Sequence, residues 1–150
     1  MVIFNVNGER HSGTNFLDQI LKINRFPVYD HDKGIKKNKI YYWKHGVPFE
    51  DYKNLDEKVV DLFIYRNLDD WLISFSQNPY HLKKHNNFND FLKLPQISTE
   101  KNFLDYRTNE CLNKDDNGKT IFQIREYKFN KIMEYKKNNK DVILVNLSFI

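Results

Sequence analysis

Eight residues near the start of the chain, Gly8-Glu9-Arg10-His11-Ser12-Gly13-Thr14-Asn15, combine the types needed to hold a phosphate or sulfate group. Glycine lets the backbone turn tightly and approach a ligand, and the hydroxyls of Ser12 and Thr14 can hydrogen-bond to it. Arg10 and His11 can add positive charge. The apolar run at 2–6 predicts a buried strand before this loop, and 16–21 predicts a helix after it. In such a unit the loop amides and the positive end of the helix dipole converge on an anion. The spacing Gly8-x-x-x-x-Gly13 matches a triphosphate-binding loop, but Thr14 stands where that loop needs lysine. No aspartate ends a second strand to hold magnesium, since Asp61 falls inside its strand, so ATP-type phosphoryl transfer is disfavoured. The competing interpretation is an ordinary strand–helix turn with Ser12 as N-cap.

Other polar groups offer chemistry further along. Arg66 ends the apolar run 59–65, where a guanidinium can grip a phosphate through two hydrogen bonds, and Ser74 lies two helical turns on. A surface arginine and a polar helix serine are the alternative. His45, in Trp43-Lys44-His45-Gly46-Val47-Pro48, follows a predicted strand and titrates near neutrality, which suits a general base. A structural or exposed histidine has the same sequence appearance. His81 and His85 stand four apart and could share a helix face, but two histidines make an incomplete metal site. Tyr80 and His81 could instead line an acceptor pocket. Trp43, Tyr42 or Tyr80 could contact an adenine or acceptor ring. Arg125 and Lys128, about one turn apart, could help bind a phosphate, and otherwise read as a solvated helix face.

These groups need a frame. Strands are expected at 2–6, 27–29, 40–43, 59–65 and 142–145. Helices are expected at 14–23, 68–77, 88–92, 103–111 and 120–137. Phe16, Leu17, Ile20, Leu21 and Ile23 give the first helix an apolar face. Asn67 is an expected N-cap, with Asp69 and Asp70 in the first turn. Lys33 to Lys39 reads as an exposed turn, and Asp115-Asp116-Asn117-Gly118 as another. Alternating strands and helices predict an α/β fold with a mainly parallel sheet wrapped on both faces. Ligands of such sheets sit beyond the carboxyl ends of the strands, where the loop at 8–15, Lys44-His45-Gly46 and Arg66-Asn67 would all meet.

Composition bounds the rest. One domain spans 1–150, and 40 % apolar residues with 15 % aromatics supply a core rather than a disordered chain. The single cysteine, Cys111, excludes an intrachain disulfide and suggests a reducing, cytoplasmic setting. No stretch has the length of a membrane span, which argues against a membrane partner. A net charge of +4 suits an anionic ligand, but the lysines are scattered rather than clustered, and solvated lysines on helix faces are the default reading. A nucleic-acid-binding module, a weaker alternative, would need a contiguous basic face and stacking aromatics, and the sequence demonstrates neither.

Taken together the first loop and the Arg66 cluster resemble the sulfotransferases that use 3′-phosphoadenosine-5′-phosphosulfate (PAPS). Ser12-Gly13-Thr14 matches the family's Ser-Gly-Thr core, which binds the 5′-phosphosulfate, and Phe16 falls where an aromatic is frequent. Arg66 with Ser74 eight residues later matches the motif that binds the 3′-phosphate. Asn67, Asp70 and Trp71 resemble the residues between. The segment at 44–48 is similar to a Lys-x-His-x-Pro pattern whose histidine takes the acceptor's proton, although Lys44 and His45 are adjacent here. The resemblance implies a three-layer α/β sandwich with a P-loop NTPase-like sulfotransferase core. It implies in-line transfer of a sulfuryl group from PAPS to a hydroxyl or amine acceptor, with no metal. Arg10, His11, Ser12, Gly13, Thr14, Asn15, Arg66 and Ser74 would bind the donor, and His45 would act as base. His11, Arg10 or Lys44 would stabilise the leaving phosphate. His11 replaces the family's loop lysine, and the late arginine- and glycine-containing loop has no visible counterpart. The chain stops just after its last strand, which points to a short or C-terminally reduced member. A non-catalytic nucleotide-binding protein on the same fold and a P-loop nucleotide kinase-like phosphotransferase are the alternatives.

Overall fold

Three apolar segments form one parallel sheet in the computed structural model, which describes residues 1–9, 11–29, 45, 58–79, 82–97 and 118–147. Strands β1 (Val2–Gly8), β2 (Lys58–Tyr65) and β3 (Val142–Asn146) lie in the order β1-β2-β3, so β2 is central. Its β-branched and aromatic residues suit a position between two neighbours. The register sets Asn5 opposite Asp61 and Gly8 opposite Ile64 on one side, and Tyr65 opposite Asn146 on the other. The strand expected at 27–29 is reduced to a single parallel bridge between Phe4 and Val28. Pro27 has no N–H to extend the ladder there.

The strands alternate cleanly, and each face buries a helix. Val6, Leu62 and Ile64 pack on one side with Leu17 and Leu21 of α1 (Thr14–Ile23). Phe63, Val142 and Leu144 pack on the other with Ile132 and Tyr135 of α4 (Ile121–Asn138). Among the described residues the architecture is therefore an open three-stranded α/β sheet with helices against both faces. A separate cluster of Trp71, Leu72, Phe75, Leu82, Phe91 and Ile121 joins α2 (Leu68–Gln77), α3 (Phe88–Lys93) and the start of α4. Only part of the apolar face expected on α1 is covered. Phe16, Ile20 and Ile23 are 56 %, 39 % and 77 % exposed, because only the Leu17–Leu21 edge meets the sheet.

Local signals place the helix starts. Asn67 accepts from the Asp70 amide, and Asn87 accepts from the Asp90 amide. Thr120 and Gln123 form a reciprocal capping box. The first helix differs: Gly13 caps it in the left-handed region (φ 97°), with no side-chain cap and no acidic residue in the first turn. The N-cap considered for Ser12 is thus one residue early.

His85 does not lie on a helix, so the helix face proposed for it with His81 is absent; His81 itself lies outside the described residues. The His85 Nε2–H donates to the Gln96 side-chain carbonyl at 3.1 Å. Gln96 is fully buried and donates in turn to the Phe91 and Leu94 carbonyls. Among the described residues no group of three or more His, Cys, Asp or Glu side chains could hold a metal ion. No described helix is long and apolar enough to cross a membrane. The elements expected at 33–39, 40–43 and 103–111, residues 115–117 and Cys111 lie outside the described residues. Gly118, at the end of the predicted turn, has φ 74°.

Candidate functional site

The face of β1 that looks toward α4 carries an unusual row. Asn5 and Asn7 lie on it, Glu9 follows just past the strand's end, and all three are buried. Asp61 on β2, also buried, joins them. It accepts from the Asn5 amide at 2.6 Å, the Asn7 amide at 3.3 Å and the Tyr135 hydroxyl at 3.0 Å. Helix α4 presents Arg125, Lys128, Ile132 and Tyr135 along this row, at the three- and four-residue steps of one helix face. A polar seam therefore runs under α4 from the middle of the sheet to the carboxyl edge.

At that edge the first loop folds back on itself. The Ser12 amide and hydroxyl both donate to the Glu9 carbonyl, at 3.2 and 2.6 Å. Ser12 is fully buried, so its hydroxyl closes the turn. A side chain at Gly8 would collide with the Ile64 carbonyl and the Ser12 hydroxyl, which is why glycine is required there. His11 takes a left-handed conformation (φ 60°), which turns the chain toward α2.

The predicted clusters meet at this loop. The Arg66 Nη1–H donates to the His11 carbonyl at 3.0 Å, across 55 residues of sequence. The Ser74 hydroxyl lies 3.4 Å from His11 Nδ1, and the His11 ring lies 5.2 Å from that of Phe75. Arg66 and Ser74 thus both contact the same loop residue, His11. His45 Nδ1 lies 2.9 Å from the Gly8 carbonyl. A carbonyl can only accept, so Nδ1 carries a proton, and Nε2 is the ring nitrogen that takes up or releases the second one. Thr14 is buried at the first turn of α1, while Gly13 and Asn15 flank it at the helix start. Arg10 and Lys44 lie outside the described residues, as do Tyr42, Trp43 and Tyr80.

Arg125 and Lys128 are not a solvated face. The Arg125 guanidinium lies 4.6 Å from the centre of the Trp71 ring and donates from Nη2 to the Arg66 carbonyl at 2.6 Å. Its Nε lies 3.2 Å from Glu9 Oε1. Lys128 is buried and its ammonium donates to the His45 carbonyl at 3.2 Å. Tertiary packing overrides the surface expectation, because β2's tip and the first loop cover this part of α4.

Glu9 is the group the sequence did not flag. Its carboxylate pairs electrostatically with Arg125, yet the geometry makes no hydrogen bond to either oxygen. Burial pushes its pKa up to about 7, against the opposing pull of Arg125 and Lys128. A carboxyl so perturbed beside a named cation marks a functional-site candidate. One signal was legible: asparagine, asparagine and glutamate at alternate positions of an otherwise apolar strand. A cavity of about 500 Å³ lies elsewhere; it is lined by Lys83, His85, Asp90 and Gln96 among others and shares no residue with this site.

The arrangement gathers Arg66, Arg125 and Lys128, the His45 imidazole and a helix start with no side-chain cap around one loop. That set suits an oxyanion, with a proton acceptor beside it. Comparison with protein-family models, with curated proteins and with solved structures finds no match to this chain.

Proposed function

We propose that this chain is a sulfotransferase-like domain with a P-loop-like core, which moves a sulfuryl group from PAPS to a hydroxyl or amine acceptor. One observation carries the reading: residues chosen from two distant motifs, Ser12-Gly13-Thr14 and Arg66 with Ser74, converge at His11. The donor set fits the co-substrate's anionic groups. Backbone amides at the uncapped start of α1 serve one phosphate group, and Arg66 with Ser74 serves another. PAPS supplies the transferable group. The chain's part is to bind and orient it, and to accept the acceptor's proton at His45 Nε2. His11 is held between Ser74 and Phe75. Charge on the leaving phosphate therefore falls to Arg10, Lys44 or the buried cations of α4 rather than to a free loop lysine.

The test is calorimetry with 3′,5′-adenosine bisphosphate. Binding at least about tenfold tighter than 5′-AMP is expected, since one charge-assisted contact is worth roughly 1.5–3 kcal/mol. Arg66→Met should abolish that preference. Equal binding of the two nucleotides by the parent chain overturns the donor assignment. A second reading, nucleotide binding without catalysis, draws on the internal hydrogen bonds of Ser12 and Arg66. Tight binding with no sulfated product on any hydroxyl or amine acceptor selects it.

A further inference from the structure

Around Glu9 the charges do not balance by contact. Arg125 faces it from α4, and Lys128 follows one turn later. Arg66 at the tip of β2 is tied to Arg125 through its carbonyl. The His11 and His45 rings border the same loop, and Asp61 sits further along the seam with donors of its own. Arg125 Nη1 is buried with no hydrogen-bond acceptor, and both oxygens of Glu9 are buried with no donor. A guanidinium and a carboxylate this close normally lock in a two-point contact. Here they touch edge to edge and satisfy neither partner.

We infer that Arg125 and Lys128 form an oxyanion subsite for a phosphate or sulfate group, and that the Glu9 carboxylate stands in for that anion until it is displaced. This rests on the anion-binding part of the proposed function and not on the identity of the donor. A tetrahedral oxyanion offers Arg125 the paired acceptors that Glu9 does not. Once parted from the guanidinium, a buried carboxylate is stable only as the neutral acid, so the exchange takes up a proton at Glu9. Burial holds its pKa near 7, so near neutral pH the charged and neutral forms lie close in free energy.

The experiment is calorimetry on the full chain at pH 7, in phosphate-free buffers of different ionisation enthalpy. Sodium sulfate, which does not titrate there, and 3′,5′-adenosine bisphosphate are the probes. Sulfate binding should take up about half a proton in the parent and none in Glu9→Gln, because a group titrating at the working pH is about half ionised. Glu9→Gln should bind sulfate about tenfold tighter, the loss of roughly one competing charge contact. Equal proton counts in the two proteins, or no sulfate binding by either, overturn the inference. Should Glu9→Gln fail to fold, the Glu9 carboxyl carbon can be titrated by NMR in the parent. Sulfate must raise its midpoint, and an unmoved midpoint refutes the exchange. If adenosine bisphosphate binds no tighter than sulfate while the Glu9 proton is still taken up, the subsite stands and the PAPS reading falls. If adenosine bisphosphate binds tightly with no Glu9-linked proton, the donor reading stands and the subsite falls.

Discussion

Asp61 and Glu9 are both buried carboxylates on the same face of one small sheet, and both look toward α4. Their surroundings differ completely. Asp61 accepts from Asn5, Asn7 and Tyr135. Glu9 has two cations nearby and no hydrogen bond. The first is what a structural buried charge looks like: desolvation is offset by well-aimed donors. The second keeps its desolvation cost largely uncompensated, which is characteristic of groups that change state during function. The contrast separates the part of the polar seam that holds the fold from the part available for chemistry.

The largest effect should come from breaking the satisfied side. Asp61→Ala removes the shared acceptor of the Asn5, Asn7 and Tyr135 side chains and should cost about 4 kcal/mol. At the usual entropy of unfolding for a chain of this size, that is a fall in Tm of roughly 10 °C. A melt within a couple of degrees of the parent would mean Asp61 is not the anchor its contacts indicate.

Glu9 should behave in the opposite sense. Its folded-state pKa lies above the unfolded value of 4.5, at about 7, so the folded chain holds the extra proton between those limits. Its contribution is therefore fully favourable below about pH 4.5 and is lost as pH rises through about 7. The loss amounts to about 3 kcal/mol at most. Urea unfolding of the parent and Glu9→Gln at pH 5 and pH 8 measures it. Relative to the parent, the glutamine variant should gain stability across that interval. A constant difference would place Glu9 in a setting no different from a surface carboxylate.

The smallest change sharpens the comparison from the helix side. Tyr135→Phe removes one donor from Asp61 and leaves Asn5 and Asn7 in place. A loss of about 1.5 kcal/mol is expected, typical of a hydrogen bond to a charged acceptor. Seen by urea unfolding, a cost as large as that of Asp61→Ala would show that the tyrosine carries more than its hydrogen bond.

Much of the frame was legible because local signals agreed. The run at 59–65 appears as β2, the helix after Asn67 starts at that cap, and the Thr120 helix begins with its capping box. The meeting of the first loop with Arg66 followed from placing ligands at the carboxyl ends of parallel strands. The α1 surface was less legible. An apolar face identifies which residues share a side, but Phe16 and Ile23 show that it does not say how wide the covering sheet is. Arg125 and Lys128 were misjudged for the same reason in reverse. Cations on a helix look solvated until another element is known to cover them.

The amino-acid order alone determined the strand–loop–helix unit and the placing of Arg66 at the end of the strand beside it, since period, caps and right-handed crossover act on short or rule-bound stretches of chain. Only the tertiary structure decided that Glu9 is enclosed with Arg125 and Lys128 while Asp61 is fully hydrogen-bonded. Desolvation and Coulomb energies depend on which distant groups surround a charge, and that information is carried by packing rather than by spacing along the chain.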